Sequence, residues 1–286
     1  MNEMDQFIKN TLSEPSDYIN SYVAFLDMLG FKGVCGKKVL NCAEIKAIFN
    51  DIELLKMQYD NGFSELIIPD NVRKNTTFTI MSDSVVVSAP DNDDGLLFIL
   101  YLCSFIQNLL LKNKILLRGG IARDEFFKCE NIMFGPALVE AYSIESSLAI
   151  YPRIVLADSI INDLKNRGAF AKKGVQDCIK KYVSSKINAD SDGATAHEAF
   201  TQIELLIKKS SEDSLYFVHY FNPLEMIRLR RDMTVRTVID TVIKEGLAHK
   251  DEKIQLKYHW LDEYYRSRTQ QFPFVLPNIT KENLNA

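Results

Sequence analysis

Two aspartates stand out as residues whose type and setting could do chemistry. Asp27 closes the apolar run Tyr22-Val23-Ala24-Phe25-Leu26, and Asp83 lies in Ser82-Asp83-Ser84, between the runs Thr77–Met81 and Val85–Val87. A carboxylate at the end of a buried strand loses hydration and needs a cation or hydrogen-bond donors in return. Two of them on adjacent strands would make a hard-oxygen site for Mg²⁺ or Mn²⁺, of the kind that holds a nucleoside triphosphate. From spacing alone a second reading stays open, in which both are turn residues, a common position for Asp. The turn after Asp27, from Met28 through Gly30 and Phe31 to Gly33, would offer backbone N–H groups to phosphate oxygens. Arg118 and Arg153 flank apolar runs and would serve either phosphate or a salt bridge. Phe25 shares a strand face with Asp27, where it would contact a nucleotide or pack in the core.

The elements that must position these residues follow from patterning. Tyr22–Asp27 reads as a buried strand, and a helix follows from about Cys42, with Ile45, Ile48, Phe49, Ile52, Leu55 and Tyr59 at helical spacing until Asp60-Asn61-Gly62. Thr77–Met81 and Val85–Val87 read as a hairpin. Asp91–Asp94 caps an apolar helix over Leu96–Leu111, which falls short of the ~20 residues of a membrane span and is expected to be buried. Ile115–Ala122 reads as a central strand whose glycines permit close approach. Asn131–Phe134 is a short strand leading through Gly135-Pro136 into a helix to Leu148. Ile154–Leu156 is a strand, followed by a helix with Asp158 at its N-cap and Gly168 past its end. Asn188–Thr195 has loop composition, Leu215–Tyr220 is strand-like, and two helices follow Pro223. In the second of these, Tyr258, Trp260, Tyr264 and Tyr265 are expected to pack against the core or a second subunit. The pattern predicts an α+β fold: a split βαβ sheet with helices on one face, plus C-terminal helices. The expected division is a lead-in over 1–20, a main domain over 21–225 and a helical extension over 226–286.

Composition narrows the function classes. Of 286 residues 47% are hydrophobic and 25% charged, enough for a sizeable core. The net charge of −4 speaks against a broad nucleic-acid surface, which needs clustered Lys and Arg. The five cysteines form no C-x-x-C pair and the four histidines stand apart, so neither a disulfide framework nor a zinc site is expected. Met1–Asn10 carries Glu3 and Asp5 without an apolar stretch, which predicts no signal peptide and a soluble, cytoplasmic protein without a membrane partner. Ser159 and Cys103 have no arranged His partner, so nucleophilic catalysis is not expected.

Four segments carry a resemblance. Phe25-Leu26-Asp27-Met28-Leu29-Gly30-Phe31 is similar to the F-x-D-[IM]-x-G-F stretch on the first strand of class III nucleotide cyclases. Met81-Ser82-Asp83-Ser84 falls where those enzymes carry a Gly-Asp hairpin, and Arg118–Ala122 resembles their next strand. Gly135–Ser146 resembles their G-x-x-V-N-x-A-x-R-x-E-S helix. The match runs in order over Tyr22–Ile160. It implies a class III cyclase-like fold, a two-metal Mn²⁺ or Mg²⁺ site on Asp27 and Asp83 with the Met28 carbonyl as a further ligand, and nucleotide contacts at Phe25, Gly30, Phe31, Thr79 and Arg118.

The departures from that family pattern are informative. The Asn and Arg that serve the ribose and the transition state fall on Val139 and Ser143, and the purine-selecting Lys and Asp fall on Thr79 and Ile132. With these changes, and with Tyr151–Leu156, the chain resembles the Pycsar pyrimidine cyclases of bacterial antiphage defence. That resemblance implies a homodimeric lyase making a 3′,5′-cyclic pyrimidine monophosphate from UTP, with CTP second, for a separate effector protein. A catalytically inactive nucleotide-sensing or dimerisation module on the same fold, and a purine cyclase with a rebuilt pocket, are the competing readings.

Overall fold

Strand β1 (Ile19–Leu29) runs through the middle of the sheet because its alternate residues Tyr22, Ala24, Leu26 and Met28 are all buried. The computed structural model describes residues 18–31, 42–43, 46–47, 49–51, 70–129, 132–169, 205–222, 225–226, 229 and 232–271. It divides into two compact units, residues 1–219 and 220–286. In the first, the short helix α1 (Asp70–Asn75) precedes a hairpin of β2 (Thr77–Met81) and β3 (Ser84–Pro90). Helix α2 (Asp93–Lys112) leads to the long β4 (Leu116–Cys129), which pairs at its end with β5 (Ile132–Phe134). Helix α3 (Pro136–Ser147), β6 (Ile154–Leu156), α4 (Asp158–Asn166), β7 (Ile207–Lys209) and β8 (Tyr216–Val218) complete the unit.

The strand order is β2-β3-β1-β4-β6-β8-β7, with β1 antiparallel to both β3 and β4 and only β4 and β6 parallel. The first four strands have the order of a split βαβ sheet, so the expected α+β fold is observed. The helices, expected on one face, occupy both. Leu96, Ile99, Leu100, Cys103 and Ile106 of α2 join Tyr22, Ala24, Leu26 and Met28 in the main core. Helix α3 instead covers the Phe25 face, where Val23, Val86, Phe126 and Ala137 form a second cluster. Gly120 permits this packing: a Cβ there would lie 2.3 Å from the Ala141 carbonyl oxygen.

Helix α2 is long and apolar enough to cross a membrane, yet 78% of its most apolar window is buried inside the protein. Asn92 caps it, its side chain accepting from the Gly95 N–H at 2.8 Å, with Asp93 and Asp94 in the first turn. Asp158, expected as an N-cap, is instead the first residue of α4, and Ala157 holds the cap position without a side-chain bond. Lys208 and Lys209 belong to β7, which pairs with β8. Most of the helix expected from Cys42 to Tyr59, and the loop expected at Asn188–Thr195, lie outside the described residues.

The second unit contains α5 (Met233–Leu247) and α6 (Glu252–Gln271). Asp232 caps α5 by accepting from the Val235 N–H at 3.1 Å. Trp260, Tyr264 and Tyr265 of α6 are buried among aromatic neighbours, as expected for packing residues. The Tyr264 hydroxyl accepts from the Phe221 N–H and Arg268 donates to the Phe221 carbonyl, both at 3.1 Å. Burial pushes the Tyr264 hydroxyl pKa up.

Candidate functional site

The strand register decides which candidate residues share a surface. Residues directly opposite in an antiparallel pair point to the same face. Asp27 stands opposite Ser84 on β3 and Arg118 on β4; Phe25 stands opposite Val86 and Gly120, and Val86 in turn opposite Thr79 on β2. Phe25, Asp27, Thr79 and Arg118 therefore lie on one face, the face that α3 covers.

Asp83 joins them through the β2–β3 turn. Met81 and Ser84 form the closing pair, leaving Ser82 and Asp83 as a two-residue loop, and Ser82 takes φ +59, a left-handed conformation usually given to glycine. The Met28 N–H donates to the Asp83 carbonyl at 2.9 Å, so the loop is fastened to β1 one residue beyond Asp27. In an antiparallel strand the carbonyl of a residue points to the same edge as its N–H, which directs the Met28 carbonyl toward the hairpin as well.

Arg118 is held from two sides. Its Nε lies 3.2 Å from Asp27 Oδ2, and its Nη2 lies 2.6 Å from Glu145 Oε1 on α3. Glu145 is only 4% exposed. Burial holds its carboxyl above the ordinary range; the Arg118 charge opposes that shift and Asp27 adds to it. One helical turn earlier, Tyr142 meets Phe25 edge to face with ring centroids 5.2 Å apart. Tyr142 and Glu145 are three residues apart, so one side of α3 presents both to the sheet.

The remaining candidates are distributed around this core. Gly30 turns the chain after β1 with φ +78, and a Cβ there would meet nothing within 4 Å, so conformation alone calls for glycine. The Phe31 side chain is buried and packs on Phe49 at 6.2 Å between centroids. The Thr79 hydroxyl accepts from Lys128 Nζ at 2.8 Å. Val139 and Ser143 are exposed on α3, and Ile132 is exposed on β5. Arg153, weighed above for phosphate, is fully buried and paired with Asp213 through both of its terminal nitrogens, with Tyr151 and Phe217 rings beside it. Its role is structural.

The donor set suits a hard divalent cation: two carboxylates, Asp27 and Asp83, and one backbone carbonyl, all oxygen. Among the described residues no group of three or more His, Cys, Asp or Glu side chains is arranged for a metal. The candidate site therefore consists of two carboxylates with main-chain support. Sequence reasoning gave no role to Glu145, Tyr142 or Lys128. Glu145 and Tyr142 carried a signal in their three-residue spacing before Gly120's close approach was known. A cavity of about 320 Å³ in the second unit, lined by Arg236, Asp240, Tyr265 and Arg266 among others, contains none of the candidate residues.

No protein-family model matches the chain, and no curated protein does. Solved structures similar to it include the guanylyl cyclase Cya2, with 15% identity and a TM-score of 0.33 over 51% of this chain and 78% of that one. Two structures of a bacterial light-regulated adenylyl cyclase are similar at 12% identity, with TM-scores of 0.35 and 0.34. They align over 81% of this chain, which spans 59% of their length.

Proposed function

We propose that the chain is a nucleotide cyclase converting a pyrimidine nucleoside triphosphate, UTP before CTP, to its 3′,5′-cyclic monophosphate and pyrophosphate. The observation that carries this reading is the fastening of the Asp83 turn to β1 beside Asp27, which sets two carboxylates at one strand end. The O3′–Pα bond forms as the bond from Pα to the bridging oxygen of pyrophosphate breaks. Asp27, Asp83 and the Met28 carbonyl would hold Mn²⁺ or Mg²⁺. When bound, such a cation lowers the pKa of the 3′-hydroxyl and neutralises phosphate charge. Asp27 and Glu145 orient the Arg118 guanidinium, whose planar N–H groups suit phosphate oxygens. Phe25 and Tyr142 supply an aromatic surface beside it, and the turn at Gly30 and Phe31 supplies backbone N–H groups.

In this reading the protein acts as a cytoplasmic homodimer. Its product is a second messenger read by a separate effector in bacterial antiphage defence, as the resemblance implies. The test is incubation with each of the four nucleoside triphosphates and Mn²⁺, with products identified by mass. A cyclic pyrimidine monophosphate supports the proposal; cyclic AMP or cyclic GMP alone moves it to the purine class.

One observation favours a second reading, a nucleotide-sensing module without turnover. The exposed side of α3 presents Val139 and Ser143, neither of which can stabilise developing charge as an amide or guanidinium does. Bound but unconverted nucleotide in the same assay would select it.

A further inference from the structure

We infer that Glu145 is a positioning residue for the cation site: it holds the charge of Arg118, so that the guanidinium does not neutralise Asp27 and both aspartates stay fully anionic toward a metal. The inference rests on the cyclase reading above and names what sets the metal affinity of that same site. Helix α3 comes near enough for this because Gly120 has no side chain. A Cβ there would lie 2.3 Å from the Ala141 carbonyl oxygen and 2.7 Å from Ile144 Cβ. Arg118 and Gly120 are alternate residues of β4 and share the face that α3 covers. Glu145 follows Ile144 on the helix, and its carboxylate meets Arg118 there.

The geometry decides which carboxylate takes the charge. Among the described residues the partners of Arg118 are Asp27, 3.2 Å from Nε, and Glu145, 2.6 Å from Nη2. The shorter contact is with the more deeply buried partner: Glu145 is 4% exposed and the Asp27 side chain 22%. Buried charges are screened less than exposed ones, so Glu145 holds the larger share of the guanidinium charge. The chain thus buries a third carboxylate beside the donor set without adding it to that set.

The charges then set the affinity. Asp27, Asp83 and Glu145 are three anions and Arg118 is one cation, which leaves a net charge of minus two, matched to a divalent ion. Without the Glu145 charge the net falls to minus one, and Arg118 turns wholly on Asp27. Oxygen sites bind hard cations according to the charge of their ligands, so the site should weaken although no ligand has changed. A different outcome is expected if Arg118 only orients Asp27. Losing such a hydrogen-bond partner weakens a metal site, whereas here losing Arg118 together with Glu145 should restore it.

The experiment measures the Mn²⁺ affinity of the full chain without nucleotide, from the spectrum of free Mn²⁺, with melting temperature and the four-nucleotide cyclisation assay in parallel. Glu145→Gln keeps the side-chain shape and still accepts from Arg118, so it removes charge alone. It should lower Mn²⁺ affinity by about tenfold or more. The double variant Glu145→Gln with Arg118→Met should return to within about threefold of wild type, by the same balance of charge. A Glu145→Gln affinity within twofold of wild type overturns the inference, and so does a double variant as weak as the single one, which would assign Glu145 to packing. Where Glu145→Gln alone does not fold, the double variant, which leaves no charge of the pair unmatched, is the test by the same threefold limit. Loss of cyclisation from every triphosphate with Mn²⁺ binding intact sinks the cyclase reading and leaves the affinities to decide the role of Glu145. A wild-type chain that binds no Mn²⁺ overturns the inference.

Discussion

Asp27→Asn separates the chemistry of the site from its contribution to the fold. Asparagine keeps the shape of the side chain and its carbonyl still accepts from Arg118, now 3.2 Å away. Arg118 also keeps Glu145 at 2.6 Å, so the substitution leaves no unpaired cation. The structural cost is the difference between a charge-assisted and a neutral hydrogen bond at a partly buried position, about 1 kcal/mol. For a unit of this size that lowers the melting temperature by about 2–4 °C. The cost to function should be far larger. Changing a residue that merely supports a metal ligand costs about 10–100-fold in affinity or activity, and Asp27 would supply one of only two anionic donors. Cyclisation should therefore fall by more than about 100-fold. Mn²⁺ affinity, read from the spectrum of free Mn²⁺ without nucleotide, should fall at least tenfold by the same reasoning. A variant that melts within a few degrees of wild type and keeps Mn²⁺ affinity and turnover within a fewfold would refute the assignment. A melting temperature lowered by more than about 10 °C would refute the structural half of the argument.

Gly120→Ala should loosen α3, since the new methyl would lie 2.3 Å from the Ala141 carbonyl oxygen and 2.7 Å from Ile144 Cβ. Overpacking of this kind costs about 1–3 kcal/mol, and calorimetry should show the loss together with reduced turnover, because Tyr142 and Glu145 move with the helix. Asp213→Asn should destabilise the first unit by roughly 2–4 kcal/mol, as it removes the charge paired with both terminal nitrogens of the buried Arg153 guanidinium. Burial raises the Asp213 pKa, but the hydrogen bonds and charge of Arg153 outweigh it and the folded value is depressed. The wild-type pair therefore stabilises in full above about pH 4, and its contribution is lost as pH falls through the lower folded value. Denaturant midpoints of wild type and variant should converge on acidification. Light scattering at the assay concentration should give a dimer mass; a monomer with full activity would remove the dimer from the proposal.

The sheet was largely legible because its inner strands obey simple patterns. The apolar run that begins at Tyr22 and the β-branched run Val85–Val87 form inner strands, as such patterns require. The errors have physical causes. Strand β4 was expected to end at Ala122, but it continues through the charged residues Arg123, Asp124 and Glu125 to Cys129. Pairing with Asn20–Tyr22 extends it, and Arg123 is carried by its ion pair with Asp91 at 2.6 Å. Strand β7 has two lysines in three residues, and only its ladder with β8 makes it a strand. Asp158 was expected as a cap because capping is read from residue type, whereas the cap position depends on where the chain leaves β6.

The site divides along the same line between local and distant causes. Asp27 and Asp83 were singled out because each is defined by its own strand or turn, and Arg118 because it flanks an apolar run; that Arg118 stands opposite Asp27 is a matter of register, which the sequence does not display. Glu145 and Tyr142 depended on α3 settling over Gly120, a packing event that sequence spacing permits without requiring. Lys128 was illegible, since its partner lies 49 residues away and three strands over. Its position is set by the point at which β4 exchanges β1 for β5. In sequence Thr79 is a hydroxyl that leaves the choice of base undecided. In the fold it is a hydroxyl with an ammonium on its oxygen, brought there by the ribbon of β4 and β5.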